Sequence, residues 1–513
     1  MNKIFPLIIW LSSIPWLAHG LNRPTPSGEN SVAGQLPACR PAAFLTLESG
    51  RLAGVDWVEH LGNQVHTRVV LTQSHVIDAT IDLRPDQTAS HSSVVLSIAG
   101  GEPEKPKTRD LGEGAIYWSD MIVSSVEQAI TRARVLDLPV TNIPTANLYR
   151  DSPNEAQVER VDRNDWVLRI NNKRYEVLTD DQGCMLSATL PDYGVVIERR
   201  TDFSADQYPL WGPYAAPPDG AYTAAEVSIP SPQGHMLAGT LTLPRGHRVV
   251  PAAVLITGLS PHERNNGQPP WMPFRDIADA LTRAGIAVLR VDDRGIGKST
   301  GDHAPSTSFD EADDVQTEVA WLRKHSSIDP KRIALVGYSE GGYIAPMVAA
   351  KDPSIAAIVT LAGPGVPMTE VARYQVEQPV LHDPKIPASD RQAETEKRLR
   401  EALKDLTPRE SVAMTIKPIE YDRRVRCPAL IIQGGTDLDV PVRSAERIAM
   451  AIRSNGNSDV TVRIISGVSH SLLPDAVGLS SGWPTLPGFL TAPDLLDVIS
   501  EWAANKLGAE RGY

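Results

Sequence analysis

Apolar and polar positions follow two different rhythms along this 513-residue chain. Between about 40 and 200 the apolar runs are short and β-branched: HTRVVLTQ, HVIDATIDLRP, SSVVLSIAG, DWVLRINNKRYEVLTDDQGCMLSATLP and YGVVIERR. Turn signals at Asn171-Asn172 and Asp181-Gln182-Gly183 separate strands, and one helical stretch, Met121 to Ala133, interrupts them. The pattern predicts a β-rich, α+β accessory domain over 40–200. Residues 201–225, rich in Pro, Gly and aromatics, read as a linker or wrapping strap. From Glu226 the texture changes. EVSIPSPQGHMLAGTLTLP predicts a hairpin, and apolar strands then alternate with helices: AAVLIT, a helix near Trp271–Ala284, IAVLRV, a helix near Ala312–His325, RIALVG, a helix after Ser339, AAIVTLAG, ALIIQGG, VTVRII and a helix near Asp494–Lys506. That alternation over 226–513 predicts an α/β domain, a largely parallel sheet with helices on both faces.

The alternation breaks once. Roughly sixty residues part the strand ending near Gly363 from the one beginning near Ala429, and their middle, SDRQAETEKRLREALKDL, is charged and strongly helical. An insertion at the strand ends is where pockets and covers are built, so 366–426 is expected to form a helical lid. A structurally inert insertion is the competing reading.

Composition adds limits. With 42% hydrophobic and 22% charged residues, the chain suffices for two or three domains with cores of their own. A net charge of −12 and the lack of any Lys/Arg run argue against a nucleic-acid partner. The start, MNKIFPLIIWLSSIPWLAHG, has one Lys, an apolar stretch from Ile4 to Leu17 and small residues at Ala18 and Gly20. It reads as a secretory signal peptide over 1–20, followed by a flexible lead-in over 21–39. A short membrane anchor is the alternative, opposed by Pro6 and Pro15 and by the length of the apolar part. The expected location is periplasmic or secreted, with no stable membrane span once the signal is removed. Export permits disulfides. Of three cysteines, Cys39 and Cys184 lie in the N-terminal region, and spacing leaves open whether they pair; Cys427 reads as a buried thiol before a strand.

The chemistry centres on RIALVGYSEGGYIAPMVAA, a strand and a helix joined by Gly337-x-Ser339-x-Gly341. A Ser on a sharp strand-to-helix turn, flanked by residues small enough for close backbone approach, is placed as a nucleophile. The Glu340 N–H would face a developing oxyanion. A glycine-rich turn with a Ser cap is the plainer reading, so partners decide. In GGTDLDVP, Asp437 follows a strand, and in IISGVSHSLL, His470 follows the next. The order Ser339, Asp437, His470 is that of a nucleophile-elbow triad, each member in a loop after a strand. Asp439 is a rival for the acid; Asp437 is preferred because it directly follows the Gly-Gly-Thr turn. In ITGLSPHERNNG, the Leu259 N–H is the candidate second oxyanion donor. The sequence carries no metal-spaced His/Cys/acid cluster, and no cofactor is expected.

These residues carry a resemblance. FRDIADALTRAGIAVLRVDDRGIGKSTG, the GYSEGG elbow, CPALIIQGGTDLDVPV and GVSHSLL resemble the bacterial α/β-hydrolase carboxylesterases related to the serine aminopeptidase-like hydrolases. The resemblance spans about 226–507 and implies an α/β-hydrolase fold, a Ser339–His470–Asp437 triad and a small-molecule ester substrate. It also implies that Asp293-Arg294-Gly295-x-Gly297-x-Ser299 is a structural turn under the site. The Leu259 loop departs from that family's usual Gly-Ser-Gly pattern. Three functions follow as expectations: an exported carboxylesterase first, then a peptidase using the same triad, then a non-catalytic binding protein. Glu370, Glu377 and Glu394 are the acids a peptidase could use to hold a free amine.

Overall fold

The computed structural model describes residues 39–510 except 49, 149–153, 202–209, 247–248, 480–482, 484–485 and 487. The expected signal peptide and nearly all of the lead-in lie outside these residues. Among the described residues no helix is long and apolar enough to cross a membrane.

The N-terminal half is one sheet of 13 strands built from two meanders. The first runs from Ala42–Glu48 to Lys107–Asp110 and the second from Ile116–Trp118 to Val195–Arg200. They join where Ala42–Glu48 pairs antiparallel with Val195–Arg200. Every neighbouring pair is antiparallel except Ile116–Trp118 with Val140–Asn147. Lys173–Thr179 alternates strictly between buried and exposed positions, the pattern of a strand with one face on a core. That core collects Val58, Ile77 and Val94 from the first meander and Leu168, Val177 and Ile197 from the second. Helix Ser124–Leu136 joins it through Val126, Ala129, Ile130 and Ala133. Cys39 and Cys184 form a disulfide across 145 residues of chain, deciding the pairing that spacing left open.

The C-terminal half holds an eight-stranded sheet: β1 Tyr222–Pro230, β2 Met236–Pro244, β3 Val250–Ile256, β4 Ala287–Val291, β5 Ile328–Tyr338, β6 Ala357–Leu361, β7 Ala429–Gly434 and β8 Val460–Ile465. Their spatial order is 1-2-4-3-5-6-7-8, with β3 to β8 parallel and β2 antiparallel to both neighbours. β1 begins at Tyr222, inside the expected 201–225 linker, because it pairs in register back to Pro244. Strands β3, β4, β6 and β7 are buried at every position, as central parallel strands covered on both faces must be.

Successive residues feed two separate cores. Val254, Leu289, Leu335 and Ile431 face helices α2 (Ser308–Leu322), α3 (Gly341–Lys351) and α8 (Ser444–Arg453). Leu255, Val288, Val336 and Ile432 face α1 (Pro273–Arg283) and α9 (Pro493–Leu507). α2 starts at Ser308, ahead of the expected Ala312, because Thr307 and Asp310 form a capping box. The insertion between β6 and β7 is built of four helices joined by turns: α4 Met368–His382, α5 Arg391–Ala402, α6 Pro408–Ala413 and α7 Pro418–Asp422.

The two halves pack together. Arg275 donates to the Thr72 carbonyl at 2.8 Å and lies over the Trp211 ring, while the Thr72 hydroxyl donates to the Pro270 carbonyl at 3.1 Å. Met121 and Tyr193 pack on a cluster of Trp271, Leu473, Leu486 and Phe489.

Candidate active site

β5 ends at Tyr338, Ser339 follows with φ +53°, and α3 begins at Gly341. A left-handed backbone is costly for a residue with a Cβ and persists only where its surroundings dictate it. Here the Ser339 N–H donates to Leu361 O at 2.9 Å and its carbonyl accepts from Gly342 N–H at 2.9 Å. The bend is therefore held by backbone, and the hydroxyl is released for other work.

That hydroxyl lies 3.1 Å from His470 Nε2, and His470 Nδ1 lies 2.9 Å from Asp437 Oδ2. Asp437 is fully buried, and its carboxylate takes three further hydrogen bonds: Gln433 Nε2 at 2.6 Å, Asp439 N–H at 2.9 Å and Val440 N–H at 2.7 Å. The rival acid thus serves Asp437 with its own backbone. The Tyr338 ring stacks 5.3 Å from the imidazole.

Both expected oxyanion donors adjoin residues of this corner, Glu340 following Ser339 and Leu259 following Gly258 in the chain. Gly258 packs on Ser339, a Cβ built on it falling 3.6 Å from the serine Cβ. Its N–H is taken up by Asn266 Oδ1 at 3.1 Å, which sets the loop carrying Leu259. On the other side Gly341 N–H donates to Thr257 O at 3.0 Å, tying the first turn of α3 to the end of β3 and leaving the Glu340 N–H beside the serine. The Asp293 turn lies beneath: its carboxylate accepts from Thr257 Oγ1 at 2.7 Å and His262 N–H at 2.8 Å.

Burial lowers the His470 pKa, but the Asp437 charge, the Asp437 hydrogen bond and the Asp439 charge outweigh it and hold the imidazole at about 9. A general base must be neutral, and this group is protonated below its pKa. The rate constant kcat/KM is therefore expected to rise with pH, its acid limb lying well above the ordinary histidine value of ~6.5. Asp439→Asn removes one of the charges that raise it, so the limb should move toward lower pH. A pH profile of both proteins tests this, and an unmoved limb in the variant removes Asp439 from the electrostatics of the base.

Two groups among the described residues bring three potential metal ligands together. In the first, Cys39 and Cys184 are spent in the disulfide, and Glu127 accepts from Met185 N–H and pairs with Arg199. In Asp437, Asp439 and His470, both imidazole nitrogens are engaged, by Asp437 and Ser339. The donor set of the second group suits proton transfer better than ligation.

Several participants escaped the sequence reading. Gln433 and Asn266 orient the site, and Tyr374 of α4 donates to the Asp437 carbonyl at 3.2 Å. Arg409 of α6 reaches Glu340 Oε2 at 2.6 Å. A strand-end glutamine, a loop asparagine, and one Tyr and one Arg on helices of the insertion carry no periodic signal.

The strand order and the elbow after β5 define the C-terminal half as an α/β-hydrolase domain. Its resemblance is to the serine aminopeptidase-like hydrolases: a family described as "Serine aminopeptidase, S33" matches residues 273–476. The esterase EstD of Thermotoga maritima is 26% identical over 249 residues, covering 46% of this chain and 58% of that one. The uncharacterized protein Rv2307c of Mycobacterium tuberculosis is 32% identical over 176 residues, covering 34% and 51%. The chain thus spans a little over half the length of these curated relatives. The crystal structure of the Pyrococcus furiosus esterase Pf2001 aligns with TM-score 0.40 at 18% identity, covering 57% of this chain and 92% of that one.

Proposed function

We propose that the chain is an exported serine hydrolase that cleaves small-molecule carboxylic esters through an acyl-enzyme. The observation that carries this reading is the continuous Ser339–His470–Asp437 hydrogen-bond chain, at 3.1 and 2.9 Å, on a left-handed elbow. Ser339 Oγ attacks the ester carbonyl carbon while His470 Nε2 takes its proton. The carbonyl oxygen becomes an oxyanion facing the Glu340 and Leu259 N–H groups. Asp437 holds the imidazole by Nδ1 and stabilises its cation. Collapse of the intermediate breaks the bond to the alcohol oxygen, which leaves with the proton from His470. Water, deprotonated by the same histidine, then attacks the acyl-serine and releases the acid.

An ester substrate is favoured over a peptide with a free amine by the engagement of two of the three acids that could hold the amine, Glu377 being the third. Glu370 is paired with Arg443, and Glu394 with Arg398 at 2.7 Å and Lys397 at 3.4 Å. The helical insertion serves as a cover that sets substrate size: Val371, Ala372, Val376 and Val380 of α4 are buried while α5 is largely exposed.

The test is a panel of p-nitrophenyl esters of graded acyl length beside aminoacyl-arylamides. Turnover of the esters, with a preference along the series, is the expected result. Faster cleavage of the arylamides would replace the esterase reading with the aminopeptidase one, and binding without turnover of either would leave a scaffold used only for recognition.

A further inference from the structure

The insertion touches the nucleophile elbow through a residue that no catalytic motif marks. Arg409, on the short helix α6, is nearly fully buried, and its guanidinium meets the carboxylate of Glu340, the residue directly after Ser339. Nη2 lies 2.6 Å and Nε 3.3 Å from Glu340 Oε2. The other oxygen, Oε1, accepts from Ser308 Oγ at 2.5 Å and Tyr343 OH at 3.0 Å. Arg409 Nη1 also reaches Ser306 Oγ at 3.4 Å and stands 3.8 Å from Glu311 Oε2. All of the Glu340 side chain is thus spent on contacts away from the catalytic histidine.

A buried Arg–carboxylate pair with both partners hydrogen-bonded has directional geometry, and losing one partner strands a charge. The fixed side chain belongs to the residue whose N–H faces the nucleophile. A peptide plane cannot rotate freely when its side chain is clamped at three donors. The second anchor of the insertion is on the acid loop, where Tyr374 OH meets the Asp437 carbonyl. The elbow and the acid loop are therefore held by the same sixty-odd residues.

We propose that Arg409 is a positioning residue: through Glu340 it fixes the oxyanion-donating N–H at the elbow, so that α6 is a permanent wall of the active site and not part of a swinging lid. This deepens the serine-hydrolase reading and rests on it. Its consequence is specific. A misplaced oxyanion donor weakens binding of the transition state and leaves ground-state binding of the ester nearly unchanged. Loss of a wall that merely shaped the pocket would instead appear in KM.

The experiment uses the full chain with Arg409→Met, Arg409→Lys and Glu340→Gln. For each variant, kcat and KM are measured on one short p-nitrophenyl ester, with the inhibition constant of a trifluoromethyl ketone that forms a tetrahedral oxyanion on the serine. In Arg409→Met we expect kcat to fall by about 100-fold with KM within about threefold, as for loss of one oxyanion donor. The ketone should weaken in parallel, and Arg409→Lys should recover part of both. If Arg409→Met does not fold, Glu340→Gln, which keeps the shape and the Ser308 and Tyr343 contacts, carries the test and should lower kcat with KM unchanged. A folded variant with parental kcat, or a loss confined to KM, overturns the positioning role. Labelling of Ser339 by a fluorophosphonate in the parent separates the two readings: a labelled, active parent with indifferent variants sinks the positioning role alone, and an unlabelled, inactive parent sinks both.

Discussion

Ser339→Ala is expected to abolish ester turnover, lowering kcat by several powers of ten, on the order of 10^5 to 10^6, while the protein stays folded. Both halves of that expectation come from the same geometry. The bend is held by Ser339 N–H on Leu361 O and by Gly342 N–H on Ser339 O, bonds that alanine keeps. Among the described side chains the hydroxyl hydrogen-bonds the histidine, a contact the fold does not depend on, so its removal costs the fold little. Chemistry loses its nucleophile, and what remains is catalysis by the oxyanion donors acting on water. His470→Ala should cost a similar factor, because the members of such a unit are not additive. Kinetics on a p-nitrophenyl ester, together with a thermal melt, settle the matter. Activity within a hundredfold of the parent in either folded variant would strike that residue from the assignment.

The parallel sheet and the three residues that the fold joins in one hydrogen-bond chain were legible because their signals are local. Val250–Ile256 and the ALII of Ala429–Gly434 are unbroken apolar runs, and each candidate residue sits within a few positions of a strand's end. The second meander of the N-terminal sheet was harder. Asn154–Arg160 reads NEAQVER and buries only Ala156 and Val158 deeply, so its amphipathic signal is two residues long. Val140–Asn147 contains Pro144 and two asparagines, a composition of turns, yet it lies between two neighbours in the sheet. Tertiary pairing overrides propensity there.

The site's support was illegible for a different reason. Arg409 lies in TPRES, where the sequence shows a charged helix start and a capping box that Thr407 and Glu410 do form. Nothing local says that this one cation turns inward to a partner 69 positions earlier in the chain. The same holds for Tyr374, whose partner lies 63 positions further on. Long-range pairing of one polar residue with another has no period, so composition and spacing are blind to it. The choice between Asp437 and Asp439 could be argued from the turn but was decided by which carboxylate the folded loop aims at Nδ1.

Gly337→Ala should have the second large effect, on stability first and on activity as a result. A Cβ at 337 would fall 1.9 Å from Gly341 O and 2.3 Å from its carbonyl carbon, both backbone atoms that cannot step aside. The same is true one turn on. A Cβ on Gly341 would meet Ile256 O at 2.4 Å, and one on Gly342 would meet Gly363 Cα at 2.6 Å. The glycines around Ser339 therefore mark three crossings, where the end of β5 passes the first turn of α3, and where that turn passes the ends of β3 and β6. Relief of any of these contacts requires the elbow to open, which carries the serine away from His470. Gly337→Ala is expected to cost at least ~4 kcal/mol, in the range reserved for steric disruption of a packed interior. Gly456 supplies the contrast, since its φ is +84° but a Cβ added there would meet nothing within 4 Å. Alanine at that position bears only the left-handed backbone penalty of about 1 kcal/mol. Urea unfolding of the two variants separates close approach from backbone conformation. If Gly337→Ala unfolds no more readily than Gly456→Ala and keeps its kcat, the crossings are not what holds Ser339 in place.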